Sequence, residues 1–299
     1  SCGWVSQCKS CDVRMTIHKG AGKLRCHVCS RETRLPSKCP DCGDADLLHL
    51  GYGTERLEEF LQKQFGHAGV LRIDRDTTRT KNAFEKMIRQ VRAGEKRVLI
   101  GTQMLAKGHH FPQVGLVVII DADSGLYGLD FRAQERMGQL LTQVAGRAGR
   151  ANRSGRVYIQ SYHPDHSFFE QISRLPYEQF AKDLLRERDA TAMPPSSYLA
   201  LLRAEAGEIG DVEVFLQEAD KLAAELTDAS MQGLAIQRLG PAVAPLERKA
   251  GRYQMQLIIK ASKRGAMQKF LGVWVEQIER LKKARKVRWS IDVDPYDLY

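Results

Sequence analysis

No cysteine occurs after residue 42 of the 299-residue chain, no G-x-x-x-x-G-K-[ST] loop or D-E-x-H strand end occurs anywhere, and no apolar run approaches the width of a bilayer. Each absence excludes something. Without the glycine-rich loop and the acidic strand end, nothing in the chain holds the phosphates and magnesium of a nucleoside triphosphate, so the chain alone is expected not to hydrolyse one. A helical span needs about 20 apolar residues, and a secretory leader needs a basic start with an apolar stretch behind it. Neither pattern is present, which points to a cytoplasmic chain with no membrane partner. Acidic residues are the scarcer charge: 46 Lys plus Arg against 36 Asp plus Glu leave +10 and a pI near 9.3. That imbalance favours a polyanionic partner through the sequence-independent attraction of phosphates. With 43% hydrophobic and 27% charged residues the composition is that of an ordinary globular chain, long enough for two domains and a small third.

What is present begins with the cysteines, all seven of them within the first 42 residues. Six form the C-x-x-C pairs Cys8/Cys11, Cys26/Cys29 and Cys39/Cys42, and Cys2 stands alone. A C-x-x-C turn aims two thiolates at one centre, and two such turns complete the tetrahedral sulfur cage of a structural zinc. Cys8, Cys11, Cys26 and Cys29, with 14 residues between the pairs, have the spacing of a zinc ribbon. Cys2, Cys39 and Cys42 remain for a second site, one ligand short. A fourth ligand is expected three residues before Cys2, upstream of Ser1, so the chain reads as the C-terminal part of a longer protein divided inside a C-x-x-C pair. His18, His27 and His49 are the substitute candidates. The odd count and the missing leader argue against a disulfide framework, and these Gly- and Lys-rich turns do not supply the setting of a thioredoxin-like motif. Two Zn2+ ions are therefore expected.

Beyond Gly53 the pattern turns to alternating helix and strand. Thr54 reads as an N-cap ahead of Leu57, Leu61 and Phe65 at helical spacing. Val70 to Ile73 reads as a strand, followed by the polar stretch Asp74 to Thr78 and a helix marked by Phe84, Met87, Ile88 and Val91. Val98 to Ile100 and Leu116 to Ile120 are short continuous apolar runs, the pattern of strands buried on both faces of a mostly parallel sheet. Ligands of such sheets sit off the carboxyl ends of the strands, where Gly101, Thr102 and Gln103, and then Asp121 and Asp123, fall. Thr102, Gln103 and a turn at Gly108 offer hydroxyl, amide and backbone donors to successive phosphates of a single strand, and Lys107 adds charge. A helix starting near Arg132 closes on the string QVAGRAGR, residues 143–150. Its Arg147 and Arg150 lie three apart on one helix face, where two guanidiniums suit a polyphosphate and can stabilise a transferring γ-phosphoryl group. Either Gly-Arg pair alone reads as a helix end that balances the dipole. The whole string, about forty residues after a strand ending G-T-Q, is much more specific.

The segments VLIGTQMLAKGHHFP and QVAGRAGR resemble motifs V and VI of the second lobe of superfamily 2 helicases. With the cysteine pairs upstream, the resemblance along the chain is to PriA-type primosomal replication-restart helicases. It implies an α/β fold: a RecA-like helicase lobe two with an inserted Cys-rich zinc-binding module and a C-terminal small α+β domain, divided as residues 1–49, 50–192 and 193–299. It also implies an ATP-dependent 3'-5' DNA helicase that recognises branched or stalled replication forks and initiates primosome assembly. ATP and Mg2+ then belong to the full-length protein, whose other lobe carries the missing loops. Gln143, Arg147 and Arg150 become catalytic, Thr102, Gln103 and Lys107 contact forked or single-stranded DNA, and Gly108 couples nucleotide to strand. His110 stands where many superfamily 2 motif V sequences have an acidic residue. PriA-type chains also carry a cysteine pair where the second zinc site here lacks its ligand.

Further along, Gly155 to Gln160 reads as a strand and Ser167 to Asp189 as one amphipathic helix, whose Phe168, Phe169, Ile172, Phe180, Leu184 and Leu185 are simplest as core residues. Met193-Pro194-Pro195 breaks the pattern and marks a boundary. Strands at 198–204, 253–259 and 287–293, with helices at 211–226 and 263–283, predict helices on one face of an antiparallel sheet. Arg252 and Gln256, an even number of residues apart on a strand, share a face. The resemblance assigns both to the acidic tail of the single-stranded-DNA-binding protein, with other primosome proteins as further partners. Lys282, Lys283, Arg285, Lys286 and Arg288 form a second basic cluster. The rival reading is a non-catalytic zinc-ribbon adaptor for nucleic acid or protein, whose arginines only clamp DNA phosphates. An RNA-directed motor, sharing motifs V and VI, is a third.

Overall fold

The computed structural model describes residues 2, 4–18, 22–45, 47, 53–74, 77–78, 80, 82–102, 105, 114–127, 130–146, 155–229 and 235–298, without the side chains of His18 and Ala229. They form two compact units, one made of Ser1–His49, Leu129–Phe131 and Lys182–Tyr299, the other of Leu50–Gly128 and Arg132–Ala181.

The Cys-rich segment is too short in apolar residues to build a core of its own. Its strands are three residues each: β1 (Thr16–His18), β2 (Lys23–Arg25) and β3 (Glu32–Arg34), paired antiparallel in that order. Leu24 is the one buried residue among β2 and β3, and Cys8, Cys11 and Cys26 form the buried centre, with Val13, Met15 and Val28 packed around them. Sulfur takes the place that aliphatic side chains hold in larger domains.

In the second unit, α1 (Thr54–Phe65) packs on β4 (Val70–Ile73) and β5 (Val98–Gly101), which pair in parallel, with α2 (Ala83–Arg92) crossing between them. Thr54 is the first helical residue rather than the cap. Gly53 holds the cap position, and the Thr54 hydroxyl donates instead to Asp74 Oδ2 at 2.8 Å. Next, β6 (Leu116–Ile119) pairs in parallel with β7 (Arg156–Ile159), and between them lie the short α3 (Asp123–Leu126) and α4 (Ala133–Ala145). The expectation of a strand buried on both faces fails at β6, where Leu116 and Val118 are 55% and 54% exposed. One side of the β6–β7 ribbon has no covering layer among the described residues.

The stretch expected as a single helix is two, α5 (Ser167–Arg174) and α6 (Tyr177–Ala190). Pro176 lacks the amide that would continue the first. Phe168 and Phe180 are buried and meet edge to face at 5.6 Å, as core residues do. Gly138 of α4 is there because a Cβ would lie 2.4 Å from the Phe180 ring.

The C-terminal sheet has the order β11 (Arg288–Val293), β8 (Tyr198–Ala206), β10 (Arg252–Ala261), β9 (Ile236–Lys249), every pair antiparallel. Its two helices are α7 (Ile209–Ala229) and α8 (Arg264–Glu279). Val212, Phe215, Leu216, Ala219, Ala223 and Leu226 recur at three- and four-residue spacing and pack on alternate residues of β8 and β10, Leu202, Ala204, Leu257 and Ile259 among them. Trp274 of α8 is fully buried, and its indole N–H donates to the Ala219 carbonyl at 2.9 Å, so the largest core side chain leaves no unpaired donor. The basic run expected at the end of α8 lies beyond it: Lys282, Lys283 and Arg285 in a 3₁₀ turn, Lys282–Arg285, Lys286 after it, and Arg288 at the start of β11.

Candidate metal centre and anion pocket

Two tight turns bring the Cys8, Cys11, Cys26 and Cys29 sulfurs within 4.8 Å of one another, and Cys2, Cys39 and Cys42 form a second group to the same limit. Cys8 N–H donates to the Val13 carbonyl, Cys26 N–H to that of Arg31, and Ser30, at φ 61°, returns its N–H to the Cys26 carbonyl. These turns fix the direction of each thiol. A tetrahedral ion with bonds of ~2.3 Å sets its sulfurs about 3.8 Å apart. Cys8 and Cys29 sulfurs are 3.7 Å apart, and no cysteine is in a disulfide.

The chemistry of the donor set fits a dication. Burial pushes the Cys11 thiol up to about 12, and burial also raises that of Cys8. Burial would raise Cys26 too, but the backbone N–H groups of Cys29 and Val28 outweigh it and bring that thiol down to about 7. Thiols crowded in a dry centre with N–H groups aimed at them need a cation to ionise together. Besides Val28, such donors are Ser10 N–H to Cys8 Sγ at 3.4 Å, Cys29 N–H to Cys26 Sγ at 3.5 Å, and Ala250 N–H to Cys11 Sγ at 3.1 Å.

The last of these comes from the tip of the β9–β10 hairpin. Ala250 and Gly251 have φ of 51° and 84°, the left-handed pair of a two-residue turn between Lys249 and Arg252. Two more bonds hold that tip to the Cys-rich segment: Asp12 N–H to the Arg248 carbonyl at 3.1 Å and Gly251 N–H to the Ser10 carbonyl at 2.7 Å.

In the second group, Cys2 and Cys39 sulfurs are 3.5 Å apart. The Trp4 backbone pulls the Cys2 thiol down, but the neighbouring thiols of Cys42 and Cys39 raise it overall. No histidine joins this group among the described residues. His27 is exposed, while the His18 side chain and His49 lie outside them.

On the sheet face opposite the helices, a cavity of about 430 Å³ is lined by Arg203, Glu205, Arg252, Gln254, Gln256 and Arg288, with Lys249 at its hairpin edge. Arg252 and Gln256 both line it. Arg203 is held by Asp292 at 3.0 Å and the Asp297 carbonyl at 3.0 Å.

The comparisons with known proteins divide along the same lines. Residues 8–34 match the PriA DNA helicase Cys-rich region domain, 48–152 the helicase conserved C-terminal domain, and 189–296 the primosomal protein N C-terminal domain. Over 99% of its length the chain is 42% identical to the replication restart protein PriA of Haemophilus influenzae, and 38% identical to that of Bacillus subtilis. The chain belongs to the PriA family. It spans 40% and 36% of the length of those two relatives, and 45% of the Rickettsia conorii PriA, to which it is 33% identical. This PriA-family chain thus combines a RecA-like helicase lobe two with the Cys-rich module and the C-terminal α+β domain.

Of the motor residues expected in this PriA lobe, Thr102 follows β5 and is exposed, with its carbonyl accepting Leu105 N–H. Gly101 before it has no room for a side chain, since a Cβ would lie 2.5 Å from the Ile73 carbonyl. Gln143 is exposed in the last turn of α4, and Gly146 follows at φ −65°, so α4 does not end in a left-handed glycine. Gln103, Lys107, Gly108, His110, Arg147 and Arg150 lie outside the described residues. The acidic residues at the strand ends are engaged by neighbouring segments. Asp74 accepts from the Thr54 hydroxyl and from Thr77 N–H and pairs with Arg72, and Asp123 accepts from the Ser161 hydroxyl and from Tyr162 N–H, the latter holding its carboxyl below the usual range. Sequence reasoning missed Ala250 and Glu205, whose partners are distant in sequence. The A-G dipeptide between two strand patterns was the available signal for the first.

Proposed function

We propose that this chain is the C-terminal part of an ATP-dependent 3'-5' DNA helicase that recognises branched or stalled forks and initiates primosome assembly. The observation that carries it is the tandem order of a PriA Cys-rich domain, a helicase C-terminal domain and a primosomal C-terminal domain on one chain. The three parts correspond to residues 1–49, 50–192 and 193–299. Gln143, Arg147 and Arg150 present an amide and two guanidiniums to the γ-phosphate of ATP bound with Mg2+ in the full-length protein, where planar forks match phosphate oxygens. Thr102, Gln103 and Lys107 contact the DNA strand, and Gly108 transmits the nucleotide state to it.

Two Zn2+ ions complete the structural part of the reading. Cys8, Cys11, Cys26 and Cys29 would hold one, and Cys2, Cys39 and Cys42 three-quarters of another, each ion supplying a cross-link where the segment has few apolar contacts. Arg252 and Gln256, at the cavity on the open sheet face, receive the acidic tail of the single-stranded-DNA-binding protein, and other primosome proteins dock beside it. The support is chemical: two donors gathered at one cavity with further cations, on a chain of net charge +10.

Arg150→Ala in the full-length protein tests the motor. ATP turnover is expected to fall by about 10³-fold with DNA affinity little changed, and Arg150→Lys should not restore it. Wild-type turnover with weakened DNA binding would select the zinc-ribbon adaptor instead.

A further inference from the structure

The cavity on the open face of the C-terminal sheet already holds a carboxylate, that of Glu205. Glu205 lies on β8 directly between its cross-strand neighbours Gln254 on β10 and Arg288 on β11. Its Oε2 accepts from Gln254 Nε2 at 3.0 Å, while its Oε1 accepts from Arg288 at 3.4 Å and stands 4.0 Å from Arg252 Nε. Its side chain is 21% exposed, against 48% for Arg252 and 79% for Arg288, so the carboxylate sits at the floor with the guanidiniums above it. Those are the groups an incoming acidic ligand would use.

We infer that Glu205 is an internal competitor that sets a charge threshold for ligands of this pocket. This rests on the reading of the pocket as an acidic-peptide site. A ligand with one carboxylate can only exchange it for the one already in place, and the exchange of one surface ion pair for another gains little. Net attraction begins with a second and third carboxylate, which reach cations that Glu205 does not touch, Lys249 at the hairpin edge among them. The pocket therefore selects runs of acidic residues over isolated ones. A purely structural Glu205 would act in the opposite sense, by holding Arg252 and Arg288 ready to bind, and its loss would weaken every acidic ligand.

Fluorescence anisotropy with labelled nine-residue peptides separates the cases. The peptides carry three Asp, one Asp or three Asn between Leu residues, and are titrated with the whole chain and with Glu205→Gln. Glutamine keeps the shape and the acceptor for Gln254 but not the charge. In wild type the three-Asp peptide should bind and the one-Asp peptide should match the Asn control. In Glu205→Gln the three-Asp peptide should bind roughly threefold to tenfold tighter, and the one-Asp peptide should rise above the control. Unchanged or weaker binding in Glu205→Gln, with wild type still preferring Asp to Asn, overturns the competitor and leaves the pocket standing. No preference for Asp over Asn in wild type overturns the pocket and the competitor together. Should Glu205→Gln melt early, Glu205→Asp, which keeps the charge but withdraws it from the guanidiniums, must shift affinity in the same direction for the inference to stand.

Discussion

Removing metal from the Cys8, Cys11, Cys26, Cys29 group should loosen a turn more than two hundred residues away in sequence. Three hydrogen bonds hold the β9–β10 tip to the Cys-rich segment, and one ends on a cage sulfur. Each contributes about 0.5–1.5 kcal/mol, so the set stabilises the tip locally by roughly 1.5–4.5 kcal/mol. If chelation frees the turns that carry Ser10, Cys11 and Asp12, all three bonds go together. At about 1.4 kcal/mol per decade, amide exchange at Ala250 and Gly251 should then accelerate about 10- to 1000-fold. The assay is hydrogen exchange by NMR on the metal-loaded protein and after chelation, with metal content measured in both. Leu257 and Ile259, fully buried in the central strand, are the internal control and should not change. Unaltered protection at Ala250 and Gly251 in protein shown to be metal-free would refute the reasoning, because the hairpin would then be held without the cage.

Other perturbations follow from local geometry. Gly69→Ala should destabilise lobe two by roughly 2–4 kcal/mol in denaturant titration, since φ is +71° there and a Cβ would lie 2.1 Å from the backbone oxygen of Glu95. Asp211 is held below its ordinary value of 3.8 by the hydrogen bond and charge of Lys283. A carboxyl lowered on folding stabilises the fold above its unfolded pKa, and that contribution disappears as pH falls through the folded pKa. Melting temperature should therefore drop on acidification below about pH 4, and less steeply in Lys283→Met, where the same carboxyl keeps only the charge of Lys286.

How far the sequence could be read depended on whether the deciding contacts were local. The cysteine pairs declared themselves because metal-ligand spacing is a property of the turn alone, and the helices expected at 211–226 and 263–283 correspond to α7 and α8. Pro176 was legible as well, yet the apolar stripe on both sides of it outweighed its missing amide. Exposure of β6 was not legible, because a continuous apolar run reports what a strand can bury and not which layer covers it. Glu205 and Ala250 were invisible for a related reason. A glutamate in a strand and an alanine in a turn do not name their partners until the sheet register sets the first beside Arg288 and the hairpin tip sets the second against Cys11.

The bond from Ala250 to Cys11 also imposes an order of events during synthesis. The two residues are 239 positions apart, and at ~5–20 residues per second the ribosome needs roughly ten to fifty seconds to pass from one to the other. For all of that interval the cysteine turns exist without the hairpin that later covers one of their sulfurs. An ion captured early would have only the four thiols and their own loop amides to hold it, and thiols left empty would stand open to oxidation. The hairpin therefore arrives as a latch on turns already made, and an ion bound before it would be covered from one side only when the last strands pair.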